Sequence, residues 1–193
     1  MAKKPQTASL GQIRIIGGTW RGRKLPVRDS EGLRPTTDRV KETLFNWLMP
    51  VIREARCLDC YAGSGSLGFE ALSRLADNVT FIELDKQNTQ LLIENKARLQ
   101  ATHATVINNS CLSVLAQAGT PFDVVFIDPP FRKGLLNETV QLLEKNHWLA
   151  DESWIYIESE AELPLTDIPA NWQLHREKIA GQVAYRLFIR HLN

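Results

Sequence analysis

The sequence predicts an α/β fold, a largely parallel β-sheet covered by helices on both faces, preceded by a basic amino-terminal extension. Three observations carry that prediction. From Ala55 onward, short apolar runs alternate with amphipathic helical patterns, as they must when each crossover between parallel strands is a helix. Glycines at 63, 65 and 68 follow the first of those runs and open the first helix, so backbone can approach a ligand closely there. The run FDVVFI from Phe122 leads straight into Asp128-Pro129-Pro130-Phe131, which brings a carboxylate, two rigid carbonyls and an aromatic face to a strand's carboxyl end.

Taken in order, residues 1–11 lack periodicity and are expected to be flexible. From Gln12, two short β-like runs flank Gly17-Gly18 and read as a hairpin. Its second arm, Trp20-Arg21-Gly22-Arg23-Lys24, interleaves an aromatic with three cations. Such a ribbon can lay Arg21, Arg23 and Lys24 on phosphates, with Trp20 packed inward as a core anchor or, alternatively, stacked on a base. Pro35-Thr36-Thr37-Asp38 supplies a helix start, with Val40, Leu44, Trp47, Leu48 and Val51 on one face. Arg34, Thr36 and Arg39 then line one edge of a site if this helix caps the sheet, plain solvent exposure being the alternative for each. These elements form an extension over residues 12–54, ahead of an α/β core over 55–193.

In the core, strands are expected near 56–61, 79–84, 104–108, 122–128 and 153–158. Helices are expected near 66–76, 86–100, 111–117 and 135–146, with Asp85 as an amino-end residue of the second. Ligands of such sheets bind beyond the carboxyl ends of the strands. The tail, WQLHREKIAGQVAYRLFIRH, has two alternating runs broken at Ala180-Gly181, an antiparallel hairpin closing one edge.

Composition narrows the class. A chain of 193 residues with 44% hydrophobic content and mixed charges is long enough for one domain with an appendage. No apolar run approaches the ~20 residues of a membrane helix, and MAKKPQTASLGQ has no apolar stretch after its lysines, so a cytoplasmic protein is expected. Cys57 and Cys60 form a Cys-x-x-Cys without a second pair, and the four histidines are scattered. Buried apolar cysteines are therefore expected, with no metal. The net charge of +1 conceals an asymmetry: residues 1–56 carry 12 Lys+Arg against 5 Asp+Glu. That concentration points to a polyanionic partner, a solvated basic face being the alternative.

The Asp128–Phe131 stretch suits a flat base bearing an amine. Proline has no N–H and holds the residue before it extended, so Asp128 and Pro129 present acceptors without a competing donor. Accepting both hydrogens of an exocyclic amine would turn its nitrogen lone pair toward a methyl donor, while Phe131 stacks on the ring. A stiff turn is the plain alternative.

In Leu58-Asp59-Cys60-Tyr61-Ala62-Gly63-Ser64-Gly65-Ser66-Leu67-Gly68, the glycine triplet alone suits any adenosine cofactor. Asp59 favours S-adenosylmethionine, because a carboxylate there meets a cationic amino-acid tail and would repel a pyrophosphate. Glu83, ending the strand in FIELD, can accept both ribose hydroxyls, as acidic residues also do in dinucleotide enzymes. Asn109-Ser110-Cys111 can contact the adenine ring, an ordinary polar loop being equally compatible.

The segments LDCYAGSGSLGFEALSR, FIELD and FIDPPF, with LRPTTDRVKETLFNWL upstream, resemble the RsmD family of bacterial small-subunit ribosomal RNA guanine-N2 methyltransferases. The likeness runs from Ile13 to Ile189. It implies a class I methyltransferase fold, Rossmann-like, with a seven-stranded sheet and an antiparallel strand at one edge. It further implies S-adenosylmethionine as donor and a guanine of 16S ribosomal RNA in the small ribosomal subunit as acceptor. Carried over by motif, Asp59, Tyr61, Ala62, Gly63, Ser64, Gly65, Gly68, Glu83, Ser110 and Cys111, with Arg34 and Thr36, belong to the cofactor side. Asp128, Pro129, Pro130 and Phe131 form the base pocket, and Arg21, Arg23, Lys24 and Arg39 face RNA. The residues alone leave three rivals open: an N6-adenine methyltransferase, a dehydrogenase, and a non-catalytic assembly factor on the same fold. A monomer is the default.

Overall fold

A computed structural model of the protein describes residues 10–28 and 37–192. A two-stranded antiparallel sheet, β1 (Leu10–Arg14) and β2 (Lys24–Arg28), is followed by α1 (Asp38–Leu48). The core then runs β3 (Arg56–Asp59), α2 (Ser66–Ser73), β4 (Asn78–Glu83), α3 (Lys86–Leu99), β5 (Ala104–Asn108), α4 (Cys111–Leu115), β6 (Phe122–Ile127), α5 (Leu135–Lys145), β7 (Leu149–Glu160), β8 (Trp172–Ala180) and β9 (Val183–His191). Among the described residues no helix is long and apolar enough to cross a membrane.

The main sheet has seven strands in the order β5-β4-β3-β6-β7-β9-β8. All pairs from β5 to β7 are parallel. The expected antiparallel strand is β9, and it lies one place in from the edge rather than at it: β9 runs against both β7 and β8. The tight Gly181 turn, at φ 61, forces β8 and β9 to pair. The longer link from β7 to β8 leaves room for β9 to insert between them.

The central strands read as continuous apolar runs because both faces are covered. One face carries Cys57, Phe81, Phe126, Tyr156 and Leu187 under α1, α2, α3 and the small hairpin. The other carries Leu58, Ile82, Val125, Ile127, Ile155 and Ile157 under α4 and α5. Cys57 and Cys60 therefore pack in cores on opposite faces, and all three cysteines are buried free thiols.

The extension is bolted to α2, every residue of which is buried. Gly17-Gly18 is not the hairpin turn. The strands end at Arg14 and resume at Lys24, and the segment between them docks on the carboxyl end of α2. Gly18, at φ 75, lies so close to the Ser73 carbonyl that a Cβ would come within 1.8 Å of it. The amides of Ile16 and Gly17 donate to Glu70 (2.9 and 2.8 Å), that of Trp20 to Ser73 Oγ (2.9 Å) and that of Thr19 to the Ser73 carbonyl (2.7 Å). These amides take side-chain and carbonyl partners on α2 in place of a cross-strand ladder. Trp20 packs inward against the same cluster.

On α1 the buried face is Lys41, Leu44, Phe45 and Leu48, with Val40 and Trp47 only half-buried and Val51 beyond the helix. Periodicity missed Lys41, whose ammonium is 1% exposed, donates to the Arg14 carbonyl and lies 3.8 Å from Glu70. Burial lowers the Lys41 pKa, with Glu70 and then Asp38 opposing the shift. Arg74, over the Phe45 ring at 5.0 Å, also donates to Glu70 (2.9 Å).

Candidate active site

The carboxyl ends of β3, β4, β6 and β7 bring four carboxylates to one face of the sheet. Asp59 is level with Phe81 on β4 and with Phe126 on β6, so Glu83 and Asp128 stand two residues further along on either side of it. Ile127 pairs with Ile157, which sets Glu158 beside Asp128. Glu158 escaped the sequence reading: in IYIESE it looks like one polar residue of an alternating strand, and its neighbour is 30 positions away. Among the described residues none of these four forms an ion pair. A row of unpaired carboxylates complements a cationic ligand.

The turn after β3 is held from both sides. Cys60 donates its amide to the Phe126 carbonyl (3.0 Å) and Ala62 to the Ile82 carbonyl (3.0 Å). Tyr61 shares a 2.6 Å hydrogen bond with Thr139 on α5. Gly63 and Gly65 sit at φ 52 and 77, with the half-buried Ser64 between them. Gly65 also lies where a Cβ would meet Phe69 and Leu92 at 2.6 Å, and at Gly68 a Cβ would meet Phe81 at 2.2 Å. Gly68 thus serves the close approach of α2 to the sheet.

Glu83 was expected to offer both oxygens to a ribose. In the structure one oxygen accepts the Gly63 amide (2.7 Å) and the other the Asp85 amide (2.8 Å). Each carboxylate oxygen keeps a second lone-pair direction, so Glu83 both ties the glycine turn to the β4–α3 turn and retains capacity for a ligand. Asp85 caps α3 through the Gln87 and Asn88 amides (3.0 and 2.8 Å). Asn108, also unforeseen, braces that turn through the Glu83 and Leu84 carbonyls (2.9 and 3.0 Å). Ser110 opens α4 as its N-cap residue and Cys111 is buried.

Asp59 is buried. Burial raises its pKa to about 7, and hydrogen bonds from the Gly68 and Tyr61 backbone oppose a further push from the Glu83 charge. Its ordinary value is 3.8. Across the interval from there to about 7 the folded protein holds a proton that the unfolded chain has released, so this residue's contribution to stability falls as pH rises. Thermal unfolding of the ligand-free protein between about pH 4 and about pH 8 is expected to show that decline, flattened in Asp59→Asn. An unaltered pH dependence in the variant would assign the decline to other groups.

At the end of β6, Asp128 is half-buried, Pro129 buried and Pro130 exposed, and Phe131 is 39% exposed. Burial, then the Glu158 charge, then that of Asp59 hold the Asp128 pKa well above the carboxylate range. Glu158 is raised by burial, against the hydrogen bond that it accepts from Tyr156 (3.1 Å). Arg132, at φ 59, donates its amide to Glu160, and Lys133 follows it into solvent.

A family model described as "Conserved hypothetical protein 95" matches residues 13–189. A relative from Escherichia coli strain K12, called "Ribosomal RNA small subunit methyltransferase D", is 66% identical over 97% of this chain and 95% of its own length. A relative of the same name from Haemophilus influenzae is 55% identical over 96% and 98%. The chain belongs to this family. A solved Escherichia coli structure with 66% identity superposes at a TM-score of 0.90, covering 95% of this chain and all of that one. The seven-stranded sheet is thus the fold of this methyltransferase family.

Of the basic residues assigned to RNA, Arg21, Arg23, Lys24 and Arg39 are all exposed. The Arg23 guanidinium donates to the Arg98 carbonyl (2.9 Å) at the carboxyl end of α3, and its segment docks at the carboxyl end of α2. Arg21 and Arg23 therefore lie at the end of the sheet opposite the candidate site. Near the site itself are Arg28, 3.1 Å from Asp85, and the Arg132-Lys133 pair. Arg34 and Thr36 lie outside the described residues.

Proposed function

We propose that the chain transfers a methyl group from S-adenosylmethionine to the exocyclic N2 of a guanine in the 16S ribosomal RNA of the small ribosomal subunit. The observation that carries this reading is the position of Asp128, Pro129 and Phe131 beside the Gly63–Gly65 turn, on adjacent strands of a methyltransferase sheet. The names of the Escherichia coli and Haemophilus influenzae relatives support ribosomal RNA as the substrate class.

The donor is S-adenosylmethionine, whose sulfonium supplies an already activated methyl group. The residues fit it. Gly63 and Gly65 let backbone approach, Tyr61, Ala62 and Ser64 complete the turn, and Gly68 keeps the helix behind it close. Glu83 offers its remaining lone pairs to ribose hydroxyls, and Ser110 and Cys111 border the adenine. Asp59 orders the turn through the Tyr61 and Gly68 backbone, and a cationic ligand above it favours its ionised form.

On the acceptor side the protein's task is alignment. Asp128 and the Pro129 carbonyl take the two amine hydrogens, which directs the nitrogen lone pair at the methyl. The positive charge of the bound donor favours the ionised form of Asp128, and as charge grows on the amine that poorly hydrated carboxylate stabilises it more than it would in water. Phe131 covers the ring of a base that must be unpaired or flipped out to arrive. Transfer of labelled methyl to small ribosomal subunits lacking the modification tests this reading: N2-methylguanosine is the expected product. N6-methyladenosine, or no transfer while S-adenosylmethionine still binds, would overturn it.

Arg21, Arg23, Lys24 and Arg39 extend the RNA footprint away from the pocket by meeting phosphates. Losing two such contacts in Arg21→Ala/Arg23→Ala is expected to lower the slope of log affinity against log salt by about 1.4 to 1.8. Because both residues are remote from Asp128, the rate at saturating RNA should hold. An unchanged salt slope would remove this segment from the footprint.

A further inference from the structure

An Asp-Pro-Pro-Phe pocket accepts an amine and does not by itself distinguish guanine from adenine. Both bases present two amine hydrogens to Asp128 and the Pro129 carbonyl. They differ at the adjacent ring nitrogen: guanine N1 carries a hydrogen, whereas adenine N1 carries a lone pair. Whatever faces that atom selects the base.

We infer that Glu158 reads the guanine N1–H and makes this pocket specific for guanine. The inference rests on the methyltransferase reading above and adds to it the residue that chooses the base. Glu158 follows Ile157, the partner of Ile127, so it stands on the strand next to Asp128, about 4.8 Å across, on the same face of the sheet. Its Oε2 accepts a hydrogen bond from the fully buried Tyr156 (3.1 Å). That bond anchors the carboxylate and leaves it further lone pairs for a donor. Charge on both groups at once is unfavourable this close, so a hydrogen donor that reaches both favours their ionised forms. Guanine's Watson–Crick edge meets that need with adjacent N1–H and N2–H groups. Adenine would set its N1 lone pair against the Glu158 oxygens.

The test uses small subunits reconstituted with RNA carrying either guanine or 2-aminopurine at the methylated position. 2-Aminopurine keeps the amine but has an unprotonated N1, as adenine does. The wild-type protein is expected to prefer guanine in kcat/KM by about ten- to hundredfold, the range of a hydrogen bond to a charged group. Glu158→Gln can turn either an oxygen or an amide nitrogen to N1, so the preference should collapse toward unity while S-adenosylmethionine binding persists. Tyr156→Phe, which releases the anchor, should lower the preference in part.

Equal losses on both substrates in Glu158→Gln would make the residue structural and overturn the inference. So would a wild-type protein that methylates the two bases alike, since Glu158 would then be protonated or turned away. Failure of the wild type to methylate even the guanine substrate would instead refute the functional reading itself.

Discussion

Asp128→Ala is expected to lower methyl transfer by about a hundredfold to ten-thousandfold, the range set by removing a group that stabilises charge in the transition state. S-adenosylmethionine affinity should change by no more than a few fold. The division follows from the architecture. Asp128 stands at the end of β6 beside the two prolines, whereas the glycine turn and Glu83 are held by β3, β4 and their own backbone bonds. Removing Asp128 breaks none of those bonds. It takes away an acceptor that orients the amine and the carboxylate that meets its growing charge. Labelled transfer at saturating cofactor, paired with calorimetric titration of S-adenosylmethionine, reads the two effects separately. Full transfer by the alanine variant would sink the assignment, and joint loss of transfer and binding would move Asp128 to the cofactor side.

Glu70→Ala is expected to destabilise the fold by about 3–5 kcal/mol, the cost of leaving a buried charge without its partner. Glu70 is fully buried and receives the Ile16 and Gly17 amides and the Arg74 guanidinium, with the Lys41 ammonium 3.8 Å away. Truncation strands two amides and two cations at the seam between the extension and the α/β core. Urea unfolding at constant m-value measures the loss. A loss below about 1 kcal/mol, the level of an exposed pair, would contradict this account of the seam. Lys41→Met should recover part of it when combined with Glu70→Ala, because the stranded ammonium is then gone. A double-mutant cycle isolates that coupling.

Much of this site was legible from short stretches of chain. Four of the five expected strands end within about two residues of their observed bounds, a margin normal for such boundaries. The glycine turn, the capping role of Asp85 and the Asp128–Phe131 stretch also stand where the pattern put them. Each is a local signal, a period of two or 3.6, a left-handed turn, or a proline that restricts its neighbour. Tail residues were legible in the same way, since a tight turn at Gly181 leaves β8 and β9 no choice but to pair.

Other features depend on residues far apart in the chain. Gly17-Gly18 has the look of a turn, yet its conformation answers to Ser73 and Glu70, more than 50 positions away. Lys41 belongs by type to a solvated face and is buried because a carboxylate from α2 and the Arg14 carbonyl receive it. Arg21 and Arg23 carry a recognisable basic pattern, but docking on the far ends of α2 and α3 sets which end of the molecule they occupy. Periodicity and short motifs along the chain therefore located the sheet, its glycine turn and the Asp128–Phe131 stretch on which the proposed amine pocket rests. Only the pairing of β6 with β7 brought Glu158 to Asp128, because strand register, a long-range hydrogen-bonding relation, decides which side chains stand side by side.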